Sequence, residues 1–226
     1  MAISRAMRQA DPVSFAMPAA FPLFDLPAEF QRAWLIERLS RPIPDSARGL
    51  SDGFRLPGRE THVTPAAVLV PLVNRPEGLT VLLTQRSDAL PDHPGQISFP
   101  GGRVEPDDAS IEAAALREAH EEIGLPQDRV SVLGRLARYE TVTGFAVTPV
   151  VGWIEPPFPI APDPVEVADV FEVPLAFLLE PGNQQRHFRM LGEVRRDYFA
   201  IPYAERYIWG ATAAMLVMLE RTLRSG

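Results

Sequence analysis

A mixed β-sheet between layers of helix, an α/β sandwich, is the fold that three observations predict. Short β-rich runs recur along the chain, helical patterns fall before, among and after them, and the 24 prolines cluster between elements. At 226 residues, 46% of them hydrophobic, the chain suits one domain with a sizeable core. A net charge of -7 provides no general basic field for a nucleic-acid duplex, so an anionic ligand has to be held by a local site. Cysteine is absent, which removes disulfides, thiolate metal sites and a cysteine nucleophile, and fits a reducing cytoplasm. The apolar run Tyr207–Leu219 is 13 residues long, short of the roughly 18 to 20 that span a bilayer, and reads as a buried helix.

Residues 1–25 read as an irregular arm, in which Asp11 and two prolines interrupt what would be the core of a signal peptide. Residues 26–226 read as the single domain. It opens on an amphipathic helix, Leu26–Arg41, that runs into a proline-punctuated loop. Ala66–Val73 and Leu79–Arg86 are β-rich and joined by NRPEG, which is turn chemistry, so they form a hairpin. Further strands are expected at ISF, VSVLGRLARYE, AVTPVVGWIE, HFRML and YFAIPY. The proline-dense Ile154–Pro164 is a surface loop. Glu166–Pro181 starts helix-like, but Pro174 divides it into two short elements. Residues 204–224 form the closing helix, assigned to the core or to a homodimer interface rather than to a site.

The stretch REAHEEIG carries the chemistry. Asp108 or Ser110 caps the start of an alanine-rich helix and Gly124 its end. Glu118, Glu121 and Glu122 then stand at i, i+3 and i+4 on one face of the last turn. Each like-charged pair costs about 0.2–0.5 kcal/mol, and carboxylates at a helix C-terminus oppose the macrodipole by about 0.3–1 kcal/mol. A divalent cation reverses both effects, and hard oxygen donors point to Mg²⁺ or Mn²⁺. The bland reading is a solvated face on which Arg117 neutralises Glu121. Against it stands SFPGGRVEPDD just upstream, where a β-like run ends in Pro100, Gly101 and Gly102 and loops into the helix. Paired glycines let backbone amides approach a phosphate.

Gly101–Leu125 resembles the Nudix box, whose usual form is G-x5-E-x7-R-E-U-x-E-E-x-G-U with U apolar. Arg117, Glu118, Ala119, Glu121, Glu122, Gly124 and Leu125 match its second half. Counting back from Arg117, the glycine of the pattern falls on Arg103 and its glutamate on Ala109, so one extra residue is present and Asp108 stands at the place of the first acid. Leu82–Gly102 resembles the signature of the coenzyme A pyrophosphatase branch, L-L-T-x-R-S-x3-R-x3-G-x3-F-P-G-G. Leu82, Leu83, Thr84, Arg86, Ser87, Gly95, Phe99, Pro100, Gly101 and Gly102 agree, whereas Pro91 replaces the second arginine. The longer loop is also typical of that branch. Together the two motifs cover about a fifth of the chain.

The resemblance implies a Nudix-type α/β/α sandwich and metal-dependent hydrolysis of a nucleoside diphosphate linked to another group. Coenzyme A would yield 3',5'-ADP and 4'-phosphopantetheine. Glu118, Glu121 and Glu122 would bind Mg²⁺ or Mn²⁺, Arg117 would orient one of those glutamates, and Arg86, Gly101, Gly102 and Arg103 would meet the small-molecule nucleotide. His93 and His120 read as ordinary polar residues, and Glu166 as surface, with a role as base the alternative. ADP-ribose or a dinucleotide is the alternative substrate, made credible by Pro91. A module that binds a nucleotide without hydrolysing it is a further reading, against which the intact glutamates speak.

Overall fold

From the first described residues the chain forms α1 (Pro22–Asp25) and α2 (Ala28–Ser40), then β1 (Thr64–Arg75), β2 (Gly78–Arg86), β3 (Ile97–Ser98), β4 (Gly101–Arg103) and α3 (Ile111–Ile123). It continues through β5 (Val130–Arg135), β6 (Tyr139–Glu140), β7 (Phe145–Ile154), β8 (Val167–Pro174) and α4 (Leu175–Leu178). The last elements are β9 (Gln185–Leu191), β10 (Val194–Tyr203), β11 (Arg206–Trp209) and α5 (Ala211–Arg224). This computed structural model describes residues 21–53, 63–191 and 194–225.

β1 is the hub of the main sheet. It runs parallel to β7 from Thr64↔Phe145 to Val73↔Ile154, and antiparallel to β4 over Ala66–Val68 and to β2 over Leu72–Arg75. β2 carries β3 and β8 antiparallel, while β5 and β6 pair antiparallel with β7. One parallel pair among antiparallel ones makes the sheet mixed. Helices cover both faces, which is why β1 reads as an almost unbroken apolar run instead of an alternation. Ala67, Leu69 and Val73 face one core with Val150, Ile154 and, from α3, Ala114, Ala115, Ala119 and Ile123. Ala66, Val70 and Leu72 face the other core, with Leu83, Val151, Trp153 and α5 residues Leu216, Leu219 and Leu223. Each fully buried leucine or valine contributes about 1.5–3 kcal/mol. Pro71 is tolerated in so central a strand because it falls between the β4 and β2 pairings, where no ladder N–H is required on that edge.

β9, β10 and β11 form a separate three-stranded antiparallel sheet with β10 in the middle. Ile201 and Ile208 anchor it in the α5 core. Thr212 Oγ1 donates to the Ile97 carbonyl at 3.0 Å, tying the start of α5 to the strand that leads into Gly101.

Several expectations are corrected. Residues 1–20 of the expected arm lie outside the described residues, but Pro22–Asp25 is a helical turn whose Leu23 is fully buried, not irregular chain. The closing helix begins at Ala211 and not at 204, because Arg206–Trp209 is claimed by β10 and Gly210, at φ 67°, turns the chain between strand and helix. The stretch after Glu166 is a strand rather than helix-like, since β2 offers an edge that pairs with it from Arg86↔Val167 to Thr80↔Pro174. VSVLGRLARYE divides into β5 and β6, after an irregularity in register between Val132 and Gly134. Among the described residues no helix is long and apolar enough to cross a membrane.

Candidate active site

α3 presents its alanines to the sheet, so its polar edge lies over β4. Ser110 is the N-cap, its Oγ accepting the Ala113 N–H at 3.1 Å, and Gly124 closes the helix in the left-handed conformation. Capping by Ser110 leaves the other candidate, Asp108, free for a different task. Its two oxygens accept Nε and Nη2 of Arg117 at 2.9 and 3.0 Å, while Oδ2 also takes the Glu105 N–H at 2.7 Å. Arg117 in turn donates to Glu118 Oε1 at 3.1 Å, Glu121 Oε2 at 2.9 Å and the Arg103 carbonyl at 3.0 Å. The guanidinium holds Asp108 below the usual carboxylate range, and hydrogen bonding to Asp108 and Glu118 keeps Arg117 charged. The residue at the place of the first acid is thus an anchor for Arg117.

Glu122 is the most deeply placed carboxylate of the helix, 7% exposed, and its Oε2 accepts the Gly101 N–H at 3.3 Å. Burial pushes it up to about 8; the Gly101 amide and Arg86 oppose the rise, and Glu118 and Glu166 add to it. Burial also raises Glu118, against the pull of Arg117, and Glu121 and Glu166 reinforce the rise. Two glycines make this packing possible. A Cβ on Gly102 would lie 2.6 Å from the Glu118 carboxyl atoms, and one on Gly101, at φ 155°, would lie 2.4 Å from the Ala67 carbonyl.

The three glutamates are therefore not equivalent. Glu121 is 56% exposed and turned to Arg117, whereas Glu118 and Glu122 line the glycine floor. Among the described residues no three carboxylates or imidazoles are gathered into an ion-sized cage, because Arg117 already provides the positive charge that Glu118 and Glu121 face. Oxygen-only donors, two of them desolvated and reluctant to ionise without a cation, are a set that fits a hard divalent ion.

The remaining candidates fall at different ranks. Arg86 lies close enough to lower Glu122, and its Nε reaches only weakly to the Asp92 carbonyl, at 3.4 Å. Glu166 is exposed, and its carboxylate adds to the rise of both Glu118 and Glu122. Its position is fixed from two sides. The Asp163 N–H donates to the Glu122 carbonyl, and the Ser87 N–H donates to the Glu166 carbonyl. The sequence reads Glu166 first as surface, with a role as base the alternative, because the β2–β8 pairing that brings its segment beside Arg86 is long-range. Arg103 is exposed, with its guanidinium over the Phe145 ring. His120 Nδ1 lies 3.3 Å from the Leu125 carbonyl at the helix end. His93 lies away from the glutamates, on a cleft with Gln96 and Trp209. A cavity of about 440 Å³ is bordered by Asp52, Tyr139, Arg196 and Arg221 and does not enclose the glutamate helix.

A protein-family model described as NUDIX domain matches residues 63–192, more than half of the chain. The chain is 39% identical over 192 residues to "Uncharacterized Nudix hydrolase NudL" of Photorhabdus laumondii, covering 84% of this chain and 96% of that one. It is 48% identical over 153 residues to the protein of the same description from Cronobacter sakazakii, covering 67% and 78%. Among solved structures, a Nudix hydrolase from M. smegmatis, RenU, matches with 26% identity and a TM-score of 0.43, over 50% of this chain and 71% of that one. A C. elegans Ap4A hydrolase matches with 23% identity and a TM-score of 0.42, over 50% and 80%. The chain belongs to the Nudix family and is a Nudix hydrolase, an enzyme of the class that acts on nucleoside diphosphates linked to a further group.

Proposed function

We propose that this enzyme hydrolyses the diphosphate of coenzyme A or its acyl derivatives. Water adds to phosphorus and one P–O bridge breaks, giving 3',5'-ADP and 4'-phosphopantetheine or its acyl form. The observation that carries the reaction is the packing of Gly101 and Gly102 against Glu122 and Glu118, which holds two partly desolvated carboxylates directly against the glycine backbone. The substrate assignment is supported by Leu82–Gly102, which matches the coenzyme A signature at ten positions besides Pro91.

Glu118, Glu121 and Glu122 are the residues that would hold Mg²⁺ or Mn²⁺, Glu121 being the outermost. When bound, the cation supplies charge neutralisation of the diphosphate and acidification of the attacking water. Arg117 orients Glu118 and Glu121 through fixed hydrogen bonds and is itself immobilised by Asp108. Glu166 is assigned the proton from water, a role supported by its solvent exposure and by its electrostatic influence on Glu118 and Glu122. Arg86, and Arg103 at the rim, provide cationic contacts for the phosphates.

A substrate panel of coenzyme A, an acyl-CoA, ADP-ribose and a dinucleotide, each with Mg²⁺, with Mn²⁺ and with chelator, tests the proposal. Coenzyme A is expected to give the highest kcat/KM, with turnover abolished by chelation. Exposed Pro91, which brings no guanidinium, favours a second reading, and ADP-ribose turned over well above coenzyme A establishes it.

A further inference from the structure

All 22 basic residues of this chain are arginine, and four of them fall within Arg186–Arg196, on the β9–β10 hairpin. Register sorts the side chains by face. His187↔Tyr198, Arg189↔Arg196 and Ala200↔Trp209 are cross-strand partners, so these side chains share one face of the small sheet. On it the His187 ring lies 5.7 Å from Tyr198, Tyr198 meets Trp209 edge-on at 5.8 Å, and the Arg189 guanidinium lies 5.8 Å from the Trp209 ring centre.

Two arginines directly opposite each other on a sheet repel, which sheet stability alone would not select. The nearby acids do not relieve Arg189. Asp52 lies 3.7 Å from Arg196 and accepts Tyr139 Oη and the Val142 N–H, and Asp197 is held by Arg195 and Arg186. Among the described residues no carboxylate is paired with Arg189. His187 is 7% exposed, and its buried Nδ1 has no hydrogen-bond partner among the described residues.

This face forms a cleft whose opposite wall is His93 and Gln96, with Thr141–Thr143 at its end. That wall belongs to the strand path of the catalytic centre. Gln96 accepts the Arg86 N–H through its carbonyl at 2.9 Å, and Gly102 follows six residues later, a span of at most about 20 Å for extended chain. Arginine beside an aromatic platform suits a phosphate attached to a planar base.

We infer that the Arg189–Arg196–Tyr198–Trp209 face binds the nucleoside end of the substrate, the base on Trp209 and Tyr198 and a phosphomonoester on the ribose at Arg189 and Arg196. It supplies the guanidinium that Pro91 withholds from the 87–96 loop across the cleft. The inference rests on the proposed coenzyme A substrate, whose ribose carries such a 3'-phosphate.

The test compares coenzyme A with 3'-dephospho-coenzyme A in turnover, and 3',5'-ADP with 5'-ADP in equilibrium binding, for wild type, Arg189→Ala, Arg189→Lys and Trp209→Phe. Arg189 is exposed, so its removal spares the core. The 3'-phosphate is expected to favour wild-type kcat/KM and affinity by about tenfold, the worth of one charged hydrogen bond. Arg189→Ala erases that margin, Arg189→Lys keeps part of it, and Trp209→Phe removes the tryptophan quenching that accompanies nucleotide binding. Equal affinity of the two nucleotides for wild type, or a margin untouched by Arg189→Ala, overturns the inference. Binding needs no turnover. A protein that ignores coenzyme A but keeps an Arg189-dependent preference for 3',5'-ADP refutes the proposed substrate and leaves the cleft standing.

Discussion

The last turn of α3 and the β9–β10 hairpin are built on the same physical device with opposite sign. Each brings like charges to neighbouring positions, glutamates by helical spacing and arginines by cross-strand register, and each meets an opposite charge at some of its members, Arg117 at Glu118 and Glu121 and Asp52 at Arg196. They differ in depth. Glu122 is nearly sealed under the Gly101 amide, whereas Arg189 is exposed. The contrast teaches that the acidic end is organised for chemistry, where desolvation multiplies electrostatic effects, and the basic end for recognition, where solvent moderates them.

The sharpest way to break this contrast is Glu122→Gln, which removes one charge at nearly constant volume. Turnover should fall by about 10³-fold, several kcal/mol of lost charge stabilisation, with the far-ultraviolet circular dichroism unchanged. Wild-type kcat in that variant would place the chemistry elsewhere.

Stability against pH gives the next largest effect. The folded value of about 8 for Glu122 lies above the roughly 4.3 of an unfolded glutamate. The folded state then holds a proton that the unfolded state has released, so this contribution is intact below the unfolded value and is lost as pH rises towards 8. Glu118 has the same sign, while Asp108, Glu112 and Glu172, all lowered, lose their contributions only towards acid. Metal-free protein should therefore lose a few kcal/mol between about pH 5 and 8, read from urea midpoints. Mg²⁺ or Mn²⁺ should stabilise more at pH 8 than at pH 5, and metal-free Glu122→Gln should flatten the decline. A flat wild-type profile would contradict burial as the cause.

Arg117→Ala should cost about 10–100-fold in activity or metal affinity by releasing Glu118 and Glu121, and Arg117→Lys should not rescue it, because a point charge cannot grip Asp108 at two atoms. Full rescue by lysine would reduce Arg117 to a mere charge. The smallest change belongs to Glu121→Gln, about tenfold in kcat/KM, since that side chain is exposed and already occupied with Arg117. A loss equal to that of Glu122→Gln would erase the ranking of the three glutamates.

How much of this was legible follows from the range of the interactions. The β1–β2 hairpin, α3 and both its caps depend on residues close in sequence, so periodicity and turn chemistry were enough to find them. The fate of Arg206–Trp209 depended on β10 and that of Val167–Pro174 on β2, so helix-like composition misled at both. The same limit applies to the site. Arg117 with its glutamates is a contiguous signature, and the partnership of Asp108 with Arg117 spans only a short loop. Glu166 reaches Glu118 and Glu122 through a distant strand pair, and Arg189 meets Arg196 only across a register that composition does not encode.

Anomalous diffraction from crystals soaked in Mn²⁺ with a non-hydrolysable coenzyme A analogue tests the central claim most directly. The account predicts a manganese peak bonded to carboxylate oxygens of Glu118 and Glu122, with the diphosphate beside Gly101 and Gly102. A bound analogue with both carboxylates turned from any ion, or the ion bonded at a site lacking them, would contradict it.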